Sequence, residues 1–243
     1  MRVGIIGHGT LGGAIAEGLR TCATVTSIES TTKRTSARNS EVVRASDVVL
    51  VCVKPYDVQA VLLAVSDALT EKHVLISTAA SVGIDRLRSW SQRNGRVVRV
   101  MPNTPARAGA AMTVVARDAL SCNDAIEIAR QLFSSLGRTI VLNEEQMDAV
   151  TAISGCGPAY VFVVIEAMID AAIALGIPYA DAREMVAQTV LGAAALVLRG
   201  NEHPAQLKTA VATPGGKTVR GLIELEEGNL RATLSRALRS SAG

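Results

Sequence analysis

The sequence predicts an α/β fold: a doubly wound sheet domain over residues 1–143, followed by an all-α domain over residues 144–243. Three observations support this prediction. Short apolar runs alternate with helical patterns in the first part, a glycine-rich turn follows the first run, and after about residue 143 only helical patterns remain. Alternating strands and helices are typical of parallel sheets whose two faces are covered by helices.

The strands of the first domain are predicted from short apolar runs rich in β-branched residues, as expected for strands buried on both faces. They are Val3–Ile6, Val25–Ile28, Val48–Val53, Val74–Ser77 and Val97–Val100. Amphipathic helices are predicted between strands at Gly12–Leu19 and Val58–Leu69. Two peripheral strands, Val114–Ala116 and Thr139–Leu142, flank a predicted helix at Cys122–Leu136.

The second domain is predicted to be helical throughout. Its helices are Pro158–Leu175, Ala180–Arg199, Pro204–Val211, Gly216–Glu227 and Leu230–Arg239. Helices that are apolar nearly all round are usually buried, and the Ala-rich faces of the two long helices exceed what one small domain covers. The pattern therefore predicts a homodimer that associates through this domain.

Composition and charge argue against several classes of protein. The chain has 243 residues, a net charge of +3 with scattered basic residues, and only 2% aromatic residues. It lacks both the basic run and the stacking side chains that are typical of nucleic-acid-binding proteins, so no nucleic acid is expected as a partner. The four cysteines lie far apart without C-x-x-C spacing. We therefore expect neither a metal site nor a disulfide framework.

No membrane or export segment is expected. The chain starts M-R-V-G-I-I-G, directly in a predicted strand, which leaves no room for a signal peptide. The longest apolar stretches, near residues 152–165 and 185–198, are shorter than the roughly 20 residues that span a bilayer. The sequence therefore predicts a soluble, cytoplasmic protein without a membrane partner.

The turn after the first strand has the pattern G-x-G-x-x-G. Its residues are Gly7, His8, Gly9, Thr10, Leu11 and Gly12. Between a strand and a helix, such glycines permit a tight turn, a close approach of backbone to a pyrophosphate, and close packing of helix on strand. The free N–H groups at the helix start also favour phosphate. The pattern predicts a Rossmann domain that binds NADPH or NADH.

The residues after the second predicted strand leave the choice between NAD and NADP open. Glu29 lies near the usual position of a carboxylate that holds the ribose 2′-OH of NAD. Lys33 and Arg34 follow closely and suit the 2′-phosphate of NADP. Because a carboxylate repels a 2′-phosphate, both arrangements cannot act in full, and we favour NADP. Alternatively, Glu29 is a solvated edge residue and the basic pair belongs to an exposed loop.

Two further motifs end strands at the carboxyl edge of the predicted sheet, where ligands of such folds bind. The segment Val53–Pro55 follows the third strand, and Met101–Pro105 follows the fifth. Two prolines stiffen the second loop, which either presents Asn103 and Thr104 to a ligand or acts only as a connector.

Taken together, these motifs resemble those of the pyrroline-5-carboxylate reductases over nearly the whole chain. The resemblance rests on G-H-G-T-L-G, C-V-K-P, R-V-M-P-N-T-P and D-A-V-T-A-I-S-G-C-G-P-A-Y-V-F. Its most specific part is E-H-P-A-Q-L-K-T-A-V-A-T-P-G-G-K-T-V-R-G-L-I-E-L-E at residues 202–226. It implies NAD(P)H-dependent reduction of the cyclic imine 1-pyrroline-5-carboxylate to L-proline, the last step of proline biosynthesis. It also implies a Rossmann domain and a helical domain that interlocks with a second subunit.

By position, the resemblance implies two sets of site residues. The cofactor set comprises Gly7 to Gly12 at the pyrophosphate, Asn39 near the adenosine, and Val53, Lys54, Pro55, Ala79 and Asn103 toward the nicotinamide. The substrate set comprises Glu202, Thr213, Gly215, Gly216, Lys217, Thr218, Asn103 and Thr104. Two of the chain's departures from the family pattern concern these sites. The segment between Glu29 and Asp47 is short, as if the second helix of the sheet were missing, and Lys217 replaces a small or hydroxyl residue.

Hydride transfer to a C=N bond depends mostly on positioning, with the substrate carboxylate anchored and the ring nitrogen protonated or hydrogen-bonded. We hypothesise that Thr218 is catalytic and donates a hydrogen bond to the ring nitrogen. Alternatively, its hydroxyl only caps the following helix. Cys156 lies between two glycines but has no histidine partner, so we interpret T-A-I-S-G-C-G-P as the start of the central helix.

Two other functions remain open. One is another Rossmann oxidoreductase, acting on an imine or a β-hydroxyacid. A β-hydroxyacid dehydrogenase needs a lysine base on the long interdomain helix, and Pro158–Leu175 contains none. The other is a dinucleotide-sensing protein without catalysis, which the fold alone does not exclude. The intact A-T-P-G-G-K-T at residues 212–218 argues for a retained substrate site.

Overall fold

A computed structural model describes residues 1–242, which form two compact units: Met1–Pro158 together with Ala242, and Ala159–Ser241. The first unit contains one seven-stranded sheet in the order β2-β1-β3-β4-β5-β6-β7. The strands are β1 Arg2–Ile6, β2 Ser27–Thr31, β3 Val48–Val51, β4 Val74–Ser77, β5 Arg96–Met101, β6 Ala111–Arg117 and β7 Gly137–Asn143. Neighbouring strands are parallel except for β5 and β6. The predicted α/β fold is therefore confirmed.

Helices cover both faces of this sheet. They are α1 Thr10–Leu19, α2 Asn39–Ala45, α3 Val58–Val65, α4 Ile84–Trp90, α5 Asn123–Ser134 and α6 Met147–Val150. Alternate strand residues face opposite sides, so Leu50 belongs to the core layer with α1 and α5, whereas Val49 and Val51 belong to the other layer. The continuous apolar strands of the sequence therefore reflect burial on both faces.

The second strand lies later in the chain than predicted. The sequence placed it at Val25–Ile28, but β2 spans Ser27–Thr31. β2 pairs only with β1, and its residues are mostly exposed, so hydrophobicity does not mark it. Its limits follow instead from its register with β1, in which Arg2 lies opposite Ser27 and Ile6 opposite Thr31. The strand consequently ends at Thr31, two residues after Glu29.

The expectation that the second helix of the sheet is missing was wrong. Residues Lys33–Arg38 form a 3-10 helix, which continues directly into α2. Val42 and Val43 of α2 are fully buried, so this short helix still covers the sheet. The crossover is compact because α2 begins within the turn that leaves β2.

The two compact units separate after Pro158. The sequence placed the boundary between functional domains at residues 143 and 144, and that boundary stays a prediction. Residues 144–158 pack on the first unit: Met147 and Val150 belong to its core. A π-turn follows at Thr151–Gly155, with the Cys156 N–H donating to the Thr151 carbonyl at 2.8 Å. Sequence patterns gave no indication of this turn.

The second unit is helical, as predicted. Its helices are α7 Gly157–Ala174, α8 Tyr179–Arg199, α9 Pro204–Val211, α10 Lys217–Glu227 and α11 Leu230–Ser241. Within it, only a small cluster of buried residues forms a core, namely Ile169, Ala182 and Val186. Large apolar side chains such as Val163 and Leu191 are more than 60% exposed. The unit therefore leaves many large apolar side chains exposed.

One helical stretch is longer than the sequence predicted. Residues Glu144–Ala174 run continuously through α6, the π-turn and α7, giving 31 residues. By length and composition alone this stretch is sufficient to cross a membrane, so the expectation that none is long enough was wrong. Its first part is packed on the first unit, and Glu166 and Asp170 lie within its second part.

Candidate functional site

A cavity of about 860 Å³ opens at the carboxyl ends of β1 to β4. This is the edge of an open α/β sheet where ligands bind, and the volume lies in the range of cofactor pockets. The predicted residues that line it are Gly7, His8, Gly9, Thr10, Leu11, Lys33, Asn39, Val53, Lys54, Pro55, Ala79 and Thr104. Residues that the sequence did not indicate also line it, among them Thr31, Thr32, Ser36, Thr78 and Arg107. Gly12, Arg34 and Asn103 do not line it.

The glycine turn is shaped by two close backbone approaches. Gly7 has φ +104°, and a Cβ there would lie 2.7 Å from the carbonyl oxygen of Cys52. A Cβ at Gly12 would collide with the carbonyl oxygen of Gly7. Gly12 therefore permits α1 to start directly under the turn, although it does not itself line the cavity. The backbone N–H of His8 donates to the Thr31 carbonyl at 2.8 Å, which fixes the turn against β2.

The start of α1 is suited to an anion. Gly9 is the N-cap residue and supplies no side-chain acceptor, and the first turn contains no acidic residue. The first N–H groups of the helix thus have no side-chain partner, and the positive end of the helix dipole is uncompensated. A pyrophosphate is the ligand that such a turn and helix start accommodate best.

The residues after β2 favour a phosphate over a ribose hydroxyl. The carboxylate of Glu29 lies 3.9 Å from the guanidinium of Arg38 and is not part of the cavity lining. Lys33 does line the cavity, together with Thr32 and Ser36, at the true end of β2. Arg34, one residue further, does not. Glu29 directly follows the predicted strand, which ended at Ile28, whereas β2 ends at Thr31 and Lys33 follows two residues later.

Asn39 is held in the cavity wall by a buried hydrogen bond. The Thr31 hydroxyl donates to Oδ1 of Asn39 at 2.6 Å, and both residues are buried. Because Oδ1 accepts the hydrogen bond from Thr31, Nδ2 of Asn39 is the group that remains to donate to a ligand. The sequence had assigned Asn39 only through the family resemblance, and Thr31 was not foreseen.

The opposite side of the cavity is formed by the residues that follow β3 and β4. Cys52 lies beneath the glycine turn, and its N–H donates to the Ile6 carbonyl at 2.8 Å. Burial raises the pKa of the Cys52 thiol to about 12, although a hydrogen bond with Thr78 acts in the opposite direction. This thiol is therefore protonated at neutral pH and is not a nucleophile.

The loop after β5 contributes differently from the prediction. Thr104 lines the cavity, whereas the side chain of Asn103 is engaged with protein groups. The 3-10 helix Thr104–Ala108 also brings Arg107 to the cavity. The cavity lining thus contains three cations, Lys33, Lys54 and Arg107. Within the described residues 1–242, it contains one carboxylate, that of Asp57.

Most of the predicted substrate residues lie in the second unit around the start of α10, whereas Asn103 and Thr104 lie in the first unit. Gly215 has φ +70°, and the N–H of Gly216 donates to the Thr213 carbonyl at 2.9 Å. A Cβ at Gly216 would lie 2.4 Å from the Thr213 hydroxyl and 3.0 Å from that same carbonyl oxygen, so a larger residue there would displace the Thr213 side chain. Thr218 and Lys217 lie exposed in the first turn of α10, which has no acidic residue.

Glu202 and His203 precede α9. Glu202 is exposed. His203 is the N-cap of α9: its Nδ1 accepts from the Ala205 N–H at 3.2 Å, and its backbone N–H donates to Gln206. This geometry agrees with a helix-start histidine and gives no reason to assign it an acid role. Across residues 1–242, no group of three or more His, Cys, Asp or Glu side chains forms a potential metal site.

Known family models match two separate parts of the chain. A family model described as NADP oxidoreductase, coenzyme F420-dependent, matches residues 2–81. A model described as pyrroline-5-carboxylate reductase dimerisation matches residues 144–243. The fold, the cavity and these matches define a Rossmann-type nicotinamide-dependent oxidoreductase with a helical dimerisation domain.

The chain belongs to the pyrroline-5-carboxylate reductase family. It is 38% identical to pyrroline-5-carboxylate reductase of Arabidopsis thaliana over 99% of this chain and 93% of that protein. It superposes on the Plasmodium falciparum enzyme solved with NADP bound with a TM-score of 0.88, at 28% identity, covering 100% of this chain and 95% of that one. The Streptococcus pyogenes enzyme gives a TM-score of 0.84 at 31% identity, covering 100% and 96%.

Proposed function

We propose that this chain catalyses the reduction of 1-pyrroline-5-carboxylate to L-proline with NADPH. The observation that carries the proposal is the cavity at the carboxyl ends of β1 to β4, in a chain of this family. Its glycine turn and helix start suit a pyrophosphate, and its volume suits a dinucleotide. When bound, NADPH supplies the hydride that adds to the carbon of the ring C=N bond.

The cofactor side is assigned to residues of the first unit. The N–H groups of Gly9, Thr10 and Leu11 hold the pyrophosphate, and Asn39 donates to the adenosine ribose. Lys33 lies at the end of β2 where a 2′-phosphate belongs, while Glu29 is paired with Arg38. This arrangement supports NADPH over NADH. The backbone of residues 53–55 and Ala79 borders the nicotinamide.

The substrate side is assigned to the turn at Thr213–Thr218. The free N–H groups at the start of α10 suit a carboxylate, and Lys217 adds a positive charge there. The Thr218 hydroxyl donates a hydrogen bond to the ring nitrogen and passes its proton to that nitrogen as the hydride adds to the adjacent carbon, and a proton from solvent then restores the hydroxyl. Glu202 and Thr104 complete the proposed set of substrate-binding residues.

Self-association through the helical domain is supported by the dimerisation family and by its exposed apolar side chains. Residues such as Phe162, Leu175 and Leu196 are at least 60% exposed in the single chain. In the proposed homodimer a second copy covers these side chains. Burial in that interface also explains why the helical stretch at residues 144–174 is apolar. We place the enzyme in solution in the cytoplasm.

The test is NADPH oxidation by the purified chain with and without pyrroline-5-carboxylate, compared with NADH. Thr218→Ala is expected to lower kcat/KM by about 100-fold, the lower end of what a positioned proton donor contributes, and Thr218→Ser is expected to restore most of it. Thr209→Ala, which removes a hydroxyl bonded within α9 at 2.9 Å, is the matched control. Tight NADPH binding without turnover on this imine would favour a dinucleotide sensor or an oxidoreductase with another substrate.

A further inference from the structure

Asn103 uses both ends of its amide within the protein. Its Nδ2 donates to the Ser154 carbonyl at 3.1 Å, and its Oδ1 accepts from the Met112 N–H at 3.0 Å. The side chain therefore joins three separate parts of the first unit: the loop after β5, the start of β6 and the π-turn. A side chain held in this way is poorly available to a ligand.

The residues that follow Asn103 do line the cofactor cavity. Asn103 is the N-cap of the 3-10 helix Thr104–Ala108, and its carbonyl accepts from the Ala106 N–H at 3.1 Å. Thr104 and Arg107 of this helix both face the cavity. Their positions therefore depend on where Asn103 is held.

The other partner of Asn103 is itself held in place. Ser154 lies in the π-turn, whose Thr151 hydroxyl donates to the Met147 carbonyl at 2.9 Å. A Cβ at Gly155 would lie 2.6 Å from the terminal methyl of Met101, so that side chain packs closely against the turn. π-turns are rare insertions in α-helices that are frequently found at functional sites, and this turn presents the Ser154 carbonyl to Asn103.

We infer that Asn103 is a positioning residue for the cofactor. By tying the loop after β5 to the π-turn and to β6, it holds Thr104 and Arg107 at the cavity without itself contacting the ligand. This inference rests on the proposed function, because it presumes that the cavity binds NADPH. It also replaces the direct ligand contact that the family resemblance implied for Asn103.

Asn103→Asp distinguishes a positioning role at the cofactor cavity from a direct contact between Asn103 and the imine substrate. The aspartate keeps an acceptor for the Met112 N–H, but it places a carboxylate oxygen against the Ser154 carbonyl. We expect the Kd for NADPH to rise about tenfold, as for the loss of one well-placed hydrogen bond. The KM for pyrroline-5-carboxylate at saturating NADPH should stay within about twofold. Asn103→Ser, which loses the bond without adding charge, carries the same test if the aspartate variant does not fold.

Asn94→Asp is the matched control, because Asn94 Nδ2 donates to the Ser66 carbonyl at 3.3 Å away from the cavity lining. It should lower the denaturation midpoint without changing the Kd for NADPH. In a double-mutant cycle, adding Asn103→Asp to Arg107→Ala should weaken NADPH binding less than it does in the wild type. Hydrogen exchange should be faster in residues 151–156 of Asn103→Asp.

Three results would overturn the inference. One is an unchanged Kd for NADPH in the Asn103 variants, and another is strict additivity with Arg107→Ala. The third is a raised KM for the imine with unchanged NADPH binding, which would indicate a direct substrate contact. A wild-type chain that binds no NADPH would overturn the proposed function and this inference together. A wild type that binds NADPH without turnover would overturn only the proposed reaction.

Discussion

The hydroxyl of Thr31 donates to Oδ1 of Asn39 across a distance of 2.6 Å, joining the last residue of β2 to the first residue of α2. Both residues line the dinucleotide cavity and both are buried. The hydrogen bond fixes the orientation of the Asn39 amide and closes the shortened crossover between β2 and α2. It therefore connects the stability of this crossover with the binding of the cofactor.

Thr31→Val should lower both the stability of the crossover between β2 and α2 and the affinity for NADPH. The valine has nearly the same shape, but Oδ1 of Asn39 loses its donor, which costs about 1–3 kcal/mol of unfolding free energy for a buried acceptor. The Kd for NADPH should rise as well. Urea denaturation and NADPH titration measure the two effects. Thr113→Val is the control, because the buried Thr113 hydroxyl has no hydrogen-bond partner and its removal should be neutral or stabilising.

Gly12→Ala should abolish most cofactor binding, whereas Gly13→Ala should not. A Cβ at Gly12 meets the Gly7 carbonyl, so the glycine turn must move before α1 can pack. At Gly13 the nearest atom to a Cβ is the His8 Nε2 at 3.6 Å, an ordinary contact. The second change should add about 0.5–1 kcal/mol of stability by removing a helical glycine. Equal NADPH affinities of the two variants would contradict the assignment of the pyrophosphate site.

Arg99→Met should be strongly destabilising. Arg99 is 4% exposed, and its Nη1 lies 2.8 Å from Oε1 of Glu144, which also accepts from the Ile84 N–H at 3.1 Å. Removing the cation leaves the Glu144 carboxylate, which is 22% exposed, without its ion-pair partner, at a cost of about 3 kcal/mol, the lower end for a buried pair. Adding Glu144→Gln should recover part of this loss, because the amide is neutral and its oxygen still accepts from Ile84. Chemical denaturation of the single and double variants tests the expectation, which an additive double variant would contradict.

Asp118 should make stability depend on acid pH. Hydrogen bonds from Arg88 lower the pKa of this carboxyl from 3.8 to about 2, against the effect of burial, and Ser121 adds to the shift. Because the folded-state pKa is depressed, the stabilisation is present above about pH 4 and is lost as the pH falls toward 2. Its size is about 2 kcal/mol for a partly buried pair. Asp118→Asn should flatten this part of the profile of unfolding free energy against pH.

Cys52 should resist alkylation in the folded protein. Its thiol has a pKa of about 12, so the reactive thiolate is scarce even at pH 8. Iodoacetamide should therefore modify Cys52 in the native chain far more slowly than in urea, as measured by peptide mass spectrometry. Rapid modification of Cys52 in the native chain would contradict a protonated, unreactive thiol.

Cys156→Ser should retain activity, because the proposed reaction has no covalent intermediate.

Local patterns in the sequence were sufficient for most of the fold. The runs at residues 48–51 and 74–76 are continuously apolar and form buried central strands, and residues 97–100 form another although they include the buried Arg99. The glycine turn was also identifiable, because its spacing expresses steric requirements within a few residues of chain. The helical second half followed from its helix-stop residues and continuous apolar helices.

Tertiary structure decided the rest, because the relevant contacts join residues far apart in the chain. The limits of β2 depend on pairing with β1, and this pairing removes Glu29 from the cavity and brings Thr31 and Lys33 to it. Likewise, the engagement of Asn103 depends on a π-turn that lies 51 residues away. Local spacing and composition were enough to predict a dinucleotide turn and a helical second domain. Only the fold decided which side chains surround the cofactor, since an edge strand and a buried polar contact leave no local periodic pattern.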